Sequence, residues 1–468
     1  MNSDFHLTPY RSHDVSAVLD RLATGQSVSV VGLSNLGKSM LLRQMVEPEV
    51  ARRYEALTGR AVMLVYVDCN RMLEMSAQGL YEVILRAALE ALDRAPPGPR
   101  VALKHAVAAH YQTVIESPGT FAVPLAFNDA IIALLRDQPE QDVVLLLDEF
   151  DAVLTGLDER VFLNLRALKD KYVERLSYVT ATLKPPSAVG GGDDLAEFFE
   201  LFAAYKHYLV PLSPDKATEL AVEVFEQAND HLDPPERDYI LEQAGGHPGL
   251  IQAVAYVVME VESGAPPNYT EKALSMAGDV LENHRLVRNE LGKLWKHLLP
   301  SERDAVTRFV AGGASALTEA ERRELLLRGL LVEDAGGLRL FARLFENYAR
   351  RQGLVQQSVP DGVWVDIDAG TVWVHGREIE SLTELEYRLL LLLYGRLDKI
   401  CDKAQIVEAV WGQDYLGDVD DARIEKLVSR LRSKLEVDPS NPRFISTVRG
   451  RGYRLNRANT EAAGVTSL

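Results

Sequence analysis

The residues Gly32-x-x-x-x-Gly37-Lys38-Ser39 stand between an apolar run, Val28 to Val31, and a stretch with helical periodicity. Strand, glycine-rich loop and helix in that order are what a phosphate-cradling loop requires. Gly32 and Gly37 let the backbone turn, so that amides from Asn35 through Leu36, Gly37 and Lys38 to Ser39 converge on phosphate oxygens. The start of the following helix adds its partial positive charge. Lys38 is placed to reach the β and γ phosphates of a nucleoside triphosphate, and the Ser39 hydroxyl to ligate Mg2+. A second group follows at the end of "VVLLLDEFD", where Asp148 suits the metal's water shell and Glu149 suits polarising an attacking water. Alone, that pair reads as a strand ending in a solvated acidic turn; beside an independent phosphate loop the chemical reading prevails. The sequence has no Asn-Lys-x-Asp motif for guanine, so ATP and ADP with Mg2+ are the expected cofactors.

A different chemistry gathers near the other end. The chain carries a net charge of −17, yet from Arg423 to Arg457 ten Lys and Arg face only Glu425, Glu436 and Asp438. In "DDARIEKLVSRLRSKLE" the residues Ile424, Leu427, Val428, Leu431 and Leu435 form one apolar stripe, which leaves Arg423, Lys426 and Arg430 on the outer side. Such a helix fits the major groove of duplex DNA, where arginine can pair with guanine through two hydrogen bonds. "DPSNPRFISTVRGRGYRL" follows as two short strands joined at Gly450 to Gly452, with Arg449 and Arg451 near a tip suited to the minor groove. The bland alternative is a solvated basic helix and hairpin.

The elements that must hold these groups are legible. A length of 468 residues points to about three domains, and 47% hydrophobic with 25% charged residues is ordinary globular composition. Apolar runs such as "AVMLVYVDC", "DVVLLLDEFD" and "LSYVTATL", separated by helical stretches, predict a parallel sheet covered by helices on both faces. "RAPPGPR" and "KPPSAVGGGDD" mark loops. The expected fold is multidomain α/β: a P-loop parallel-sheet ATPase over 1–212, a helical lid over 213–285, a winged-helix-like segment over 286–352, a linker over 353–361, a basic winged helix over 362–457 and a disordered tail over 458–468. Trp364, Trp373 and Trp411 are read as core of the last domain. Cys69 and Cys401 support neither a disulfide framework nor a thiolate metal site. No apolar run spans a bilayer, so a soluble, cytoplasmic, nucleoid-associated protein is expected.

Two resemblances sharpen these expectations. The phosphate loop, "LLLDEFD", Thr182 on the next strand and "GGHPG" before an apolar helix resemble the STAND class of P-loop ATPases, relatives of the AAA+ family, over roughly residues 8 to 350. The resemblance implies that His247 and Pro248 close the lid on the nucleotide, that Thr182 senses phosphate, and that Tyr10 and Arg11 in "LTPYRSHD" lie on the adenine side. Lys184 to Leu212 contains no arginine where AAA+ rings place a finger, which argues against a processive ring motor; Arg166 and Arg175 stand open as partners or as helix-surface charge. Residues 362 to 456 resemble the OmpR/PhoB-type winged-helix effector domain, on "LTELEYRLLLLL", "DKAQIVEAVWG", "VDDARIEKLVSRLRSKLE" and "DPSNPRFISTVRGRGYRL". That resemblance implies groove-facing Arg430 and Lys426, phosphate contacts from Arg432 and Thr447, and Arg449 with Tyr453 on the wing side. Together they imply an ATP-responsive regulator of transcription that binds double-stranded DNA, with an unidentified ligand or protein as a further input and a nucleotide-dependent homo-oligomer left open. The alternative is an ATPase that loads or remodels a DNA-bound machine, or a defence or stress sensor, with the winged helices as anchors.

Overall fold

The structure is a computed structural model that describes residues 10–94, 100–117, 121–188, 195–263, 278, 280–334, 336–358, 362–366, 371–374, 377–379, 382–412, 421–436, 438 and 441–456. The chain divides into two compact units, Met1–Ala349 and Arg350–Leu468.

The first unit is built on five parallel strands, β1 (Val28–Val31), β2 (Ala61–Asp68), β3 (Gln141–Asp148), β4 (Leu176–Thr182) and β5 (Lys206–Tyr208), in the order β2-β3-β4-β1-β5. Every residue of β1, β3 and β4 is buried, as expected where helices cover both faces of a parallel sheet. Alternate side chains of β3 enter two cores: Val144 and Leu146 go to one face, Val143, Leu145 and Leu147 to the other. Because the strands are parallel and β4 lies between β1 and β3, Gly32, Asp148 and Thr182 come to one sheet edge. That carboxyl edge is where such sheets bind ligands.

The helices Pro214–Gln227, Pro234–Ala244 and Pro248–Ser263 follow, the first two started by proline with Ser213 or an Asp233–Glu236 capping box. Helices Arg285–His297, Pro300–Gly312 and Glu319–Leu327 then lead into an antiparallel hairpin, β6 (Leu331–Asp334) and β7 (Gly337–Leu340). The segments expected over 1–212, 213–285 and 286–352 share one apolar cluster, which includes Leu41 and Leu42 of the helix after the phosphate loop together with Val254, Leu291 and Phe341. The stretch expected as a linker over 353–361 is helical through Ser358, at the end of Arg343–Ser358, because its Gln-rich start continues the preceding helical pattern; 359–361 and the tail 458–468 lie outside the described residues, as do the centres of the two predicted loops.

The second unit opens with a small antiparallel sheet, β8 (Val363–Asp366), β9 (Thr371–Val374) and β10 (Arg377–Glu378), ordered β10-β9-β8. Helices Glu384–Tyr394 and Lys403–Trp411 begin with Thr383–Glu386 and Asp402–Gln405 capping boxes, and Asp421–Leu435 precedes the hairpin of β11 (Ile445–Val448) and β12 (Gly452–Leu455). Its own core contains Leu389, Val407, Ile424, Leu427, Val428 and Leu431. Trp373 is buried, Trp411 packs against that core, and Trp364 is half-buried opposite Trp373.

Candidate functional site

Side chains pin the carbonyls of the phosphate loop. The Lys38 ammonium donates to the carbonyls of Gly32 and Leu33 (3.0 Å each), His247 Nε2 lies 2.8 Å from the Ser34 carbonyl, and Arg11 donates to Leu36 at 2.6 Å. With those oxygens held, the N–H groups of Asn35, Gly37, Lys38 and Ser39 make no backbone hydrogen bond among the described residues, which is the condition of a helix N-terminus open to an anion. Leu36 differs: its N–H turns back to Leu33 at 3.4 Å. The two glycines also have different roles. Gly37 is left-handed at φ 97°, whereas Gly32 serves by lacking a side chain, since a Cβ there would stand 3.1 Å from Leu209 Cβ and 3.4 Å from Lys38 Cγ. Asn35 takes the second left-handed position, φ 53°, which asparagine tolerates better than other side chains.

The acidic edge sits beside this loop. Asp148 is buried and accepts from the Tyr66 hydroxyl (2.8 Å) and the Glu149 amide (3.0 Å). Glu149 is left-handed at φ 52°, a strained state for a residue with a side chain. Burial, then the Asp148 charge, push its carboxyl above the usual range, and Lys38 opposes them. Burial also pushes the Lys38 ammonium down, against the pull of Glu149, Asp151 and Asp148 and with Arg328 adding to the depression. Asp151, unassigned in the sequence reading, accepts the Leu183 amide on both oxygens (3.0 and 2.9 Å). Thr182 is fully buried and donates to the Lys184 carbonyl at 2.8 Å, so its hydroxyl shapes the turn after β4.

A cavity of about 510 Å³ adjoins the loop, within the size range of small-ligand sites. Lys38, Ser39, Glu149 and Pro248 line it, and the helix Pro214–Gln227 contributes Leu220, Glu223, Val224 and Gln227 from one face. Tyr10 also lines it, with its hydroxyl bonded to Glu223. Arg11 is drawn away from it: its guanidinium holds Leu36 and also the Val210 carbonyl at 2.9 Å. Glu290, for which the sequence offers no signal, accepts from Asn35 Nδ2 at 2.6 Å across the cavity wall.

His247 is a backbone clamp in this structure. It is fully buried, its Nδ1 accepts the Leu250 amide at 3.2 Å, and burial lowers its pKa to about 4. With Nδ1 accepting, Nε2 carries the proton and donates to Ser34. His247 therefore caps the helix it precedes and fastens that helix to the phosphate loop. Arg166 and Arg175 are both engaged internally, the first with Asp170 and Glu200, the second with the carbonyls of Leu135, Gln138 and Gln141.

In the second unit the helix Asp421–Leu435 buries the expected stripe and exposes Arg423, Lys426 and Arg430. Arg449 and Arg451 are exposed at the turn of the last hairpin, and with Lys426 and Arg430 they make no ion pair to another described residue. Arg432 instead ties helix to hairpin, donating to the Ile445 carbonyl (3.0 and 2.7 Å) and to the Thr447 hydroxyl (2.8 Å), with its guanidinium 5.9 Å from the Tyr453 ring. Glycine is required at 452, where φ is 124° and a Cβ would fall 2.1 Å from the Cys401 carbonyl. Residues 376–455 match the family model described as transcriptional regulatory protein, C terminal. The C-terminal unit is an OmpR/PhoB-type winged-helix domain. Its chain is 45% identical over 83 residues to a probable transcriptional regulatory protein of Picosynechococcus sp., covering 18% of this chain and 32% of that one. It is 38% identical over 112 residues to a sensory transduction protein of Mycobacterium leprae, covering 23% and 55%. The chain thus spans between a third and somewhat over half the length of these relatives, and the OmpR/PhoB-type domain is what it shares with them.

Over 73% of its length the chain is also similar to the Walker-type ATPase of Pyrococcus abyssi, of which it covers 95%, at 14% identity and a TM-score of 0.43. The P-loop fold of the first unit is carried by its own strand order and loop. Among the described residues no helix is long and apolar enough to cross a membrane, no cluster of three or more His, Cys, Asp or Glu is arranged to hold a metal alone, and Cys69 and Cys401 are buried and free. Arg328, buried and bonded to Glu302, stands as a lone arginine inside "LLLRGLLV", which is the sequence signal that marks it.

Proposed function

We propose that this protein is an ATP-responsive, DNA-binding regulator of transcription, in which nucleotide held at the phosphate loop sets whether the OmpR/PhoB-type domain engages double-stranded DNA. The observation that carries this reading is the phosphate loop itself, whose carbonyls are bonded by Lys38, His247 and Arg11 while the N–H groups of Asn35, Gly37, Lys38 and Ser39 make no backbone hydrogen bond among the described residues, beside a cavity in the same chain as a winged helix. The donor set fits Mg2+-ATP: four amides and an ammonium for phosphates, the Ser39 hydroxyl and the Asp148 carboxylate for the metal's shell. ATP supplies the phosphoanhydride bond, and Mg2+ the neutralising charge for its cleavage. Tyr66 and the Glu149 amide orient Asp148, and Glu149 is the base that takes a proton from water. Tyr10 and the 220–227 face hold the remainder of the nucleotide, and His247 with Pro248 keeps the lid on the loop. On the DNA side Arg430 and Lys426 enter the major groove from the helix face they share with Arg423, Thr447 meets the backbone, and Arg449 and Arg451 act from the wing.

Lys38→Ala tests the reading. ATP titration of the full chain should show binding abolished, and duplex binding should lose its response to nucleotide while the basic helix stays intact. Unchanged ATP affinity overturns the assignment.

A further inference from the structure

Arg43 stands one turn after Ser39 on the helix Lys38–Met45, the i, i+4 spacing that puts two side chains on one helix face. Among the described residues it is the one arginine lining the cavity, together with Lys38, Ser39 and Glu149. Its Nε donates to the Tyr66 hydroxyl at 3.2 Å, and its guanidinium carbon lies 5.6 Å from the centre of the Tyr66 ring. Tyr66 in turn donates to Asp148 at 2.8 Å. That chain of bonds holds Arg43 beside the metal-shell carboxylate.

The other arginines near the loop are occupied. Arg11 holds the carbonyls of Leu36 and Val210, and Arg328 is locked to Glu302 at 2.6 Å and to the Leu183 carbonyl at 2.9 Å. Arg43 makes no ion pair with a described residue, and of the five N–H donors of its guanidinium only the one on Nε is taken up by such a residue. The charge around it is acidic. Asp68, Asp148, Glu149 and Asp151 act on this end of the site, against Lys38 and Arg43, so the guanidinium is drawn to it before any ligand arrives. An arginine that served only to solvate the helix surface would need neither the tether nor the cavity.

We propose that Arg43 is a catalytic residue for the terminal phosphate: held by Tyr66, it donates from its Nη groups to the terminal phosphoryl oxygens and stabilises the charge spread over them during hydrolysis. The proposal rests on the ATP reading and adds to it a group for which nothing in the motifs called. In that reaction a bond forms from water's oxygen to the terminal phosphorus, the bond to the β-phosphate oxygen breaks with its electron pair left on ADP, and the water's proton passes to Glu149. Arg43 exchanges no proton and serves the step by charge alone. The segment 184–212, which contains no arginine, then has none to supply, and turnover needs no second copy of the chain.

The test uses the full chain with Mg2+, as wild type, Arg43→Ala and Tyr66→Phe; Arg43 is exposed, so its removal leaves the fold intact, as thermal unfolding checks. A fluorescent ADP analogue is titrated with and without aluminium fluoride, which stands in for the phosphoryl group in transfer. The fluoride complex should tighten wild-type binding, and Arg43→Ala should lose about tenfold or more of that gain while ADP affinity stays near wild type; single-turnover hydrolysis of ATP should fall about 100-fold or more. Free guanidinium ion at a non-denaturing concentration should restore part of the Arg43→Ala rate and leave Tyr66→Phe, which keeps its arginine, unchanged. An Arg43→Ala protein with the wild-type response to aluminium fluoride overturns the proposal. So does a loss that matches Tyr66→Phe and ignores guanidinium, which would make Arg43 a support for Tyr66 only, and so does a wild type that binds ADP yet gains nothing from the fluoride. If the wild type binds neither ATP nor ADP, the ATP reading itself falls and takes the proposal with it.

Discussion

Replacing His247 by alanine removes two contacts at once. The Leu250 amide loses its cap, worth about 0.5 to 2 kcal/mol, and the buried Ser34 carbonyl loses its donor, worth about 1 to 3 kcal/mol. The combined cost is about 2 to 5 kcal/mol, a large fraction of a domain's stability. Asparagine at 247 is a good cap but too short to reach Ser34, so His247→Asn should restore the cap share alone. Urea unfolding with hydrogen exchange read peptide by peptide separates the two: His247→Ala should lose protection over both 28–45 and 248–263, His247→Asn mainly over 28–45. Wild-type protection of the loop in His247→Ala refutes the clamp. Acid should mimic the substitution. The folded pKa of about 4 lies below the unfolded 6.5, so between those values the unfolded chain binds the extra proton. The contribution is complete above pH 6.5, falls as pH drops through about 4, and amounts to about 3 kcal/mol when wholly lost. His247→Asn should flatten that part of the pH profile.

Glu149→Gln should keep ATP affinity and slow single-turnover hydrolysis, and wild-type hydrolysis should fall on the acid side as the raised Glu149 carboxyl takes up its proton; equal rates in the two proteins remove it as the base. Arg430→Ala should cost about 1 to 3 kcal/mol at the preferred duplex and relax selectivity there, while Arg449→Ala acts from the wing at a different part of the site; isotherms on specific and scrambled duplexes that show no change in either sink the DNA reading. Arg432→Met should weaken binding by freeing the hairpin and leave the salt slope unchanged, whereas a direct phosphate contact would lower that slope by about one.

What the sequence made legible is what short-range spacing controls. The apolar run before Gly32, the acidic end of β3 and the i, i+3, i+4 stripe from Ile424 to Leu435 are local patterns, and each stands in the structure as the element it predicted. Contacts between distant segments were not legible in this way. His247 and Ser34 are 213 residues apart, and Asn35 and Glu290 are 255 apart; no periodicity encodes such a meeting. Motif resemblance pointed His247 and Arg11 at the nucleotide, but both bond the backbone of the loop, because carbonyls turned away from a phosphate cradle need donors of their own. The resemblance implied a DNA-phosphate contact for Arg432, and its place one turn past Val428 sets it against Ile445 and Thr447 of the hairpin.

The single cluster joining the helix after the phosphate loop to the helix Pro248–Ser263 and to Phe341 has a consequence for time. Leu250, Ile251 and Val254 are each wholly buried, and freeing one such side chain costs about 1.5 to 3 kcal/mol. Lifting the lid far enough to release a ligand exposes several together, and every 1.4 kcal/mol slows the event about tenfold. Residence of the proposed nucleotide would then be governed by apolar contacts more than by chemistry at the phosphates. If the protein is the nucleotide-responsive regulator proposed above, it would keep its last state long after the supply of ligand has changed, and trimming a methyl group in this cluster would shorten that memory.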